Sequence, residues 1–251
     1  MFEKFNKRHL NSKWFLSIPF ILVCSFHLKM RATHLIIPMD EVQKNHLKSY
    51  GIAFYALEKK IEVDWLLNYR GGAFALKLND NILKECKVRG VSFEIVADVQ
   101  YNNIVSQITR PEVNQDIMKL EKAPKIAVYS PKNKQPWDDA VTLVMSYAEI
   151  PYEIIYDEEI IEEKLSKYDW LHLHHEDFTG QYGKFWSSYK NAPWFREYVR
   201  FNEGIAGKLG FTKVSELKLA VAVKIKSFVA QGGFMFAMCA ATDSYDIALA
   251  A

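Results

Sequence analysis

From Val214 onward the chain spells out one complete crossover unit of an α/β fold. Val214, Leu217, Val221, Ile225 and Phe228 recur every three or four residues, so residues 214–230 form a helix with one apolar face. Lys213, Lys218, Lys224 and Lys226 fall elsewhere on its circumference. Gly232 and Gly233 then supply the left-handed cap that ends it. Residues 234–238 follow without a polar side chain, the pattern of a strand covered on both faces in a parallel sheet. A helix that returns to such a strand places the chain in the α/β class.

The same grammar repeats upstream. Short β-branched or apolar runs predict strands at 35–38, 63–67, 73–78 and 91–96. Helices are predicted at 45–60, with Leu47, Ile52, Phe54, Tyr55 and Leu57 on or near one face, and at 81–87, stopped by Gly90. Residues 100–124 are polar and end in Pro124, which marks a boundary or a linking helix. Strand 125–129, turn 130–136, helix 137–150 and strands 152–156 and 170–174 then follow, ahead of an irregular aromatic segment at 178–201. A last helix runs from near Thr242 to Ala251 and carries no cap, so the domain is expected to be truncated there. The expected architecture is a largely parallel, doubly wound sheet, with an N-terminal α/β segment over 33–120 and a second α/β domain over 121–251.

Composition narrows the function classes. With 49% hydrophobic and 25% charged residues the chain is an ordinary globular one, not a disordered, collagenous or coiled-coil sequence. The 32 basic and 30 acidic side chains nearly cancel, so no overall field draws the protein onto nucleic acid. Residues 1–32 depart from that balance, with six basic side chains and one acid, and without them the chain has 26 basic against 29 acidic groups. Within that stretch a basic run, Lys4 to Lys13, precedes thirteen uncharged, mostly apolar residues at 14–26, the order of a secretory signal. Thirteen residues fall short of the roughly 20 that span a bilayer. The expectation is export to the periplasm or cell envelope, with no stable membrane span after the signal is removed. Cys24 lies inside that signal, leaving Cys86 and Cys239, too few for a disulfide scaffold.

Cys239 is the leading candidate for chemistry. It stands between the apolar strand at 234–238 and the final helix, and at such a strand-to-helix elbow the nucleophile points out of the sheet only if its neighbours two residues away are small. Ala237 and Ala241 meet that demand. A helix start there also favours the thiolate and offers backbone N–H groups to an oxyanion. The second constellation is His172, His174, His175, Glu176 and Asp177 at the end of a predicted strand. Strand alternation puts His172, His174 and Glu176 on one side and His175 with Asp177 on the other. His174 or His175 suits the role of base to Cys239, with Glu176 beside them as an acid/base group. No cofactor is required, although His172 and His174 have a spacing that would suit a divalent metal such as zinc.

Arg70, Gly71 and Gly72 form the third candidate, a turn between two strands whose amides and guanidinium could hold a carboxylate or phosphate, or which could be a plain hairpin turn. Trp186 stands for the aromatic segment, a stacking surface for a small molecule, peptide or glycan, or simply a loop packed onto the core. The basic residues between these aromatics, such as Lys184 and Arg196, do not outweigh the charge balance, and no nucleic-acid partner is expected.

Three runs carry a family resemblance. Residues 168–181, containing Trp170, His172, His174, His175 and Glu176, residues 66–72, containing Asn68, Arg70, Gly71 and Gly72, and residues 237–244 around Cys239 resemble an exported bacterial family commonly labelled asparagine synthetase B or asparagine synthetase B-like. The strand, the elbow cysteine and the βα order of 125–251 also look like the class I glutamine amidotransferase fold. That resemblance implies a flavodoxin-like sheet with the elbow Cys as nucleophile and a His and a Glu downstream of it. No His follows Cys239 in this sequence. A glutamine-dependent synthetase would also expose an N-terminal Cys and carry an SGGxDS-type loop, whereas here Phe2 follows Met1 and that loop is absent. What the resemblance implies is therefore Cys-dependent amide or ester hydrolysis or transfer, not the synthetase reaction; the alternative is a non-catalytic binding or assembly module of the cell envelope.

Overall fold

The computed structural model describes residues 32–132 and 140–251. The expected signal segment up to Arg31 and the residues 133–139, including Trp137 at the expected start of a helix, lie outside them. Residues 32–251 group as one compact unit built on two sheets.

The first sheet comes from β1 (Ala32–Ile37), α1 (His46–Glu58), β2 (Val63–Leu67), β3 (Ala73–Lys77), α2 (Asp80–Val88), β4 (Glu94–Ala97), α3 (Asp98–Ile108) and β5 (Asp116–Leu120). Its order is β4-β1-β3-β2-β5, and every pairing is antiparallel. The expectation of a largely parallel sheet is thus corrected for this half. Only Asn68–Gly72 separates β2 from β3, and a link that short closes a hairpin but cannot make the crossover that parallel strands need. The misreading has a physical cause. Leu35 and Ile37 of β1 pack under α1 and α2, while Ile36 faces Tyr101 and Ile108 of α3, so an antiparallel strand covered on both sides carries the unbroken apolar run usual in parallel sheets.

The second sheet is parallel, as expected. It is built from β6 (Ile126–Tyr129), α4 (Ala140–Ala148), β7 (Glu153–Ile155), α5 (Asp157–Ile161), β8 (Trp170–Leu173), α6 (Gly183–Tyr189), α7 (Pro193–Lys208), α8 (Val214–Ala230), β9 (Phe234–Ala237) and α9 (Asp243–Ala250). The strand order is β7-β6-β8-β9, with His172 opposite Phe236 and Leu173 opposite Ala237. Ala127, Tyr129, Leu171 and Leu173 bury one face of this sheet against Leu217, Val221 and Ile225 of α8. On the other face α4 covers Ile126 and Val128 through Met145. The helical spacing read from residues 214–230 is borne out in every member of its apolar stripe.

Two further expectations are corrected. The aromatic segment is not irregular: Ala192 and Pro193 start α7 and its 16 residues bury Phe195, Asn202, Ile205 and Ala206. And β9 is not buried on both faces, because among the described residues it has a neighbour on one edge only, and Phe234 and Phe236 are 57% and 47% exposed.

The two sheets meet through α1 and α4. A Cβ at Gly51 would sit 1.8 Å from the Ala148 carbonyl oxygen, so glycine is what lets these helices touch. Asn45 donates to the Tyr147 hydroxyl at 2.8 Å, and Lys48 pairs with Glu149, beside the joint.

Candidate active site

All four strands of the parallel sheet send their carboxyl ends to one edge. Tyr129 ends β6, Tyr156 and Asp157 follow β7, His174 to Asp177 follow β8, and Met238 and Cys239 follow β9. The chain leaves β6 first toward β7 and later returns to its other side with β8. In open α/β sheets the carboxyl edge at such a reversal is the usual ligand position.

Cys239 is exposed and its backbone is left-handed, with φ of 55°. A side chain with a Cβ reaches that region at a cost of about 1–3 kcal/mol, so the surrounding turn must impose it. Met238 extends the ladder by donating its N–H to the Leu173 carbonyl at 3.1 Å, and the chain then turns through a single 3-10 turn, Cys239–Thr242, into α9. The Thr242 hydroxyl closes that turn on the Cys239 carbonyl at 2.7 Å. Ala241 is fully buried beneath it, which is the small neighbour that an elbow requires. The other cysteine, Cys86, is wholly buried under the first sheet, and burial pushes its thiol up to about 12.

The imidazoles are arranged differently from the alternation expected of a strand. Regular structure ends at Leu173, so His174 and His175 belong to the turn beyond it. His172 remains in β8, 6% exposed, and stacks on Phe236 of β9 with ring centres 5.4 Å apart. The His172 and His174 rings are 6.3 Å apart, and those of His174 and His175 4.3 Å. Because Ala237 pairs with Leu173 in the ladder and the Met238 N–H bonds to the Leu173 carbonyl, His174 and Cys239 emerge from the ends of neighbouring strands. Glu176 is 4% exposed, and its Oε2 accepts the His175 backbone N–H at 3.1 Å. Among the described residues no group of three or more His, Cys, Asp or Glu is disposed to hold a metal ion.

Beneath this edge lies a polar cluster that the sequence reading did not single out. Lys218, 1% exposed, donates from Nζ to Asp157 Oδ1 and Oδ2 at 3.0 and 2.8 Å, to the Tyr129 hydroxyl at 2.8 Å and to the Tyr156 hydroxyl at 3.2 Å. Tyr129 in turn donates to Asp157, and Tyr156 donates to Asn202 Oδ1 at 2.9 Å. The ammonium also lies over the Tyr156 ring, 4.4 Å from its centre. Burial first, then the negative charge of Asp157, holds both phenols far above the ordinary tyrosine range, so they act only as neutral donors and acceptors. This cluster ties the ends of β6 and β7 to α7 and α8. Lys218 is one residue past Leu217 of the apolar stripe, so helical spacing assigns it to the flank, and only the fold carries it inside.

Arg70, Gly71 and Gly72 lie in the hairpin of the first sheet and not at the carboxyl edge of the second. Arg70 belongs to the first sheet, where its Nε donates to Asp40 Oδ2 at 2.7 Å and its Nη1 to Glu94 Oε1 at 2.6 Å. Those two carboxylates occupy the fork that a ligand would need, and they raise the guanidinium above its ordinary range. Gly71 is explained locally, since a Cβ there would lie 2.4 Å from the Met39 carbonyl oxygen, and Gly72 has φ of 92°. Trp186 projects from α6, half exposed, with its ring edge-on to the buried Phe195 at 6.2 Å.

Comparison of the chain with family models, with curated proteins and with solved structures finds no match in any of the three.

Proposed function

We propose that this chain is an exported, asparagine synthetase B-like protein with an amidotransferase-like parallel domain, and that Cys239 cleaves or transfers an amide or ester at the carboxyl edge of that domain. The observation that carries the reading is the exposed thiol of Cys239 on a left-handed residue at the end of β9. In the reaction the Cys239 sulfur bonds to the substrate carbonyl carbon while its proton passes to the imidazole of His174 or His175. The backbone N–H of Ala240 donates to the developing oxyanion. The imidazolium then protonates the leaving amine or alcohol, and water or a second amine resolves the thioester. Peptide, glycan or other small-molecule amides and esters suit an edge beside the exposed Phe236 and Met238 at the end of β9. The synthetase reaction itself is not proposed.

Alkylation by iodoacetamide tests the reading. Cys239 of the native protein is expected to react at pH 7 at least tenfold faster than in guanidinium, with Cys86 silent until unfolding as the internal control. A native rate no greater than the unfolded one removes the nucleophile. The exposed Phe234, Phe236 and Met238 favour one other reading, a non-catalytic binding module. Ligand-induced melting shifts together with a sluggish thiol select that alternative.

A further inference from the structure

The turn after β8 is held by the carboxylate of Asp177. Asp177 Oδ1 accepts the Thr179 backbone N–H at 2.8 Å and the Thr179 hydroxyl at 2.5 Å, and Oδ2 accepts the Tyr182 N–H at 2.7 Å. Thr179 Oγ1 accepts the Gln181 N–H at 3.1 Å, so the segment 177–182 is closed on itself. It is also pinned to its surroundings. Phe178 is buried and stacks on Tyr129 at 5.1 Å, while a Cβ at Gly180 would lie 2.6 Å from the Ser215 nitrogen at the start of α8. Between this closed turn and the end of β8 lie His174, His175 and Glu176, and Glu176 spends Oε2 on the His175 backbone. The backbone that carries both imidazoles is therefore fixed from two sides, by the strand before it and the Asp177 turn after it.

We propose that Asp177 is a positioning residue for the Cys239 chemistry: by closing the turn at 177–182 it holds the peptide from which His174 and His175 project, so that an imidazole is already in place beside the thiol. The proposal rests on the reading of Cys239 as a nucleophile. Its physical content is preorganisation, because an imidazole on an open loop would occupy the productive geometry for only a fraction of the time and the proton transfer would slow by that fraction.

The test is the pH dependence of Cys239 alkylation in the full chain, from pH 5 to 10, for wild type, Asp177→Ala, Asp177→Asn, Thr179→Val and the double variant His174→Gln/His175→Gln. Wild type is expected to show an imidazole-dependent component near neutral pH that the double histidine variant lacks. Asp177→Ala should lose at least tenfold of the neutral rate while its limiting rate at high pH, where the thiol ionises unaided, stays at wild type. Asp177→Asn keeps one acceptor oxygen but sets an amide N–H₂ against the Tyr182 N–H, and should fall between the two. A purely structural role would lower the melting temperature and leave the profile unmoved. Asp177→Ala with a wild-type profile within twofold overturns the proposal. Where that variant fails to give a cooperative melt, Thr179→Val carries the test, with a several-fold loss expected and an unchanged profile overturning it. A wild-type profile identical to that of the double histidine variant sinks the Cys239 reading itself, and with it any such task for Asp177.

Discussion

Replacing Lys218 with Met removes an ammonium but keeps most of the side chain's length, leaving Asp157, fully buried, with the Tyr129 hydroxyl as its neutral partner. Removing one member of a buried pair costs about 3–5 kcal/mol, because the surviving charge is stranded in a poorly solvated site. The two bonds at 3.0 and 2.8 Å and the near-zero exposure of both groups put this pair in that class and not among surface ion pairs. With a urea m-value of about 3 kcal/mol/M for a chain of this size, the midpoint should drop by about 1–2 M. The assay is urea unfolding of wild type, Lys218→Met, Asp157→Leu and the double variant at pH 7. The double variant should be more stable than Lys218→Met alone, with a coupling of about 2–3 kcal/mol. A midpoint within about 0.3 M of wild type for Lys218→Met refutes the reasoning.

Two further outcomes are expected. Gly51→Ala gains at most about 1 kcal/mol of helix propensity but drives a methyl group into the Ala148 carbonyl, and overpacking of that kind costs about 1–3 kcal/mol, so the variant should melt lower. Gly204→Ala in α7, where nothing lies within 4 Å of the added Cβ, should melt higher; equal shifts at the two sites would refute the helix contact. Arg70 beside Asp40, chiefly through its Nε–H bond, holds that carboxyl below the usual carboxylate range. The stabilisation it brings is present above the unfolded value of about 3.9 and is lost as the pH falls through the lower folded value. The stability gap between wild type and Arg70→Met should accordingly narrow from pH 7 to pH 2.5 in urea unfolding, and a constant gap contradicts the pairing.

Much of the candidate site was legible in advance. The elbow at Cys239 could be read because an apolar strand, two small neighbours and a following helix leave a local signature of a few residues. The histidines were located but wrongly faced, since period-two alternation holds only while the strand lasts and β8 stops at Leu173. Asp157 is not legible because nothing local distinguishes it from the neighbouring exposed acids Glu162 and Glu163, and the pairing of Arg70 is not legible because its partners Asp40 and Glu94 are 30 and 24 residues away.

Local patterns determined that this chain alternates helices with strands, where α1, α8, β2 and β9 begin, and that a thiol would stand at a strand-to-helix bend, because spacing, glycine caps and side-chain size act over a turn or two of backbone. Tertiary structure alone decided that the first sheet is antiparallel, that Lys218 turns inward to Asp157, and that the turn held by Asp177 lies against the start of α8. Those outcomes depend on which distant segments share a low-dielectric interior, where an unpaired charge is costly and a paired one becomes a joint between elements.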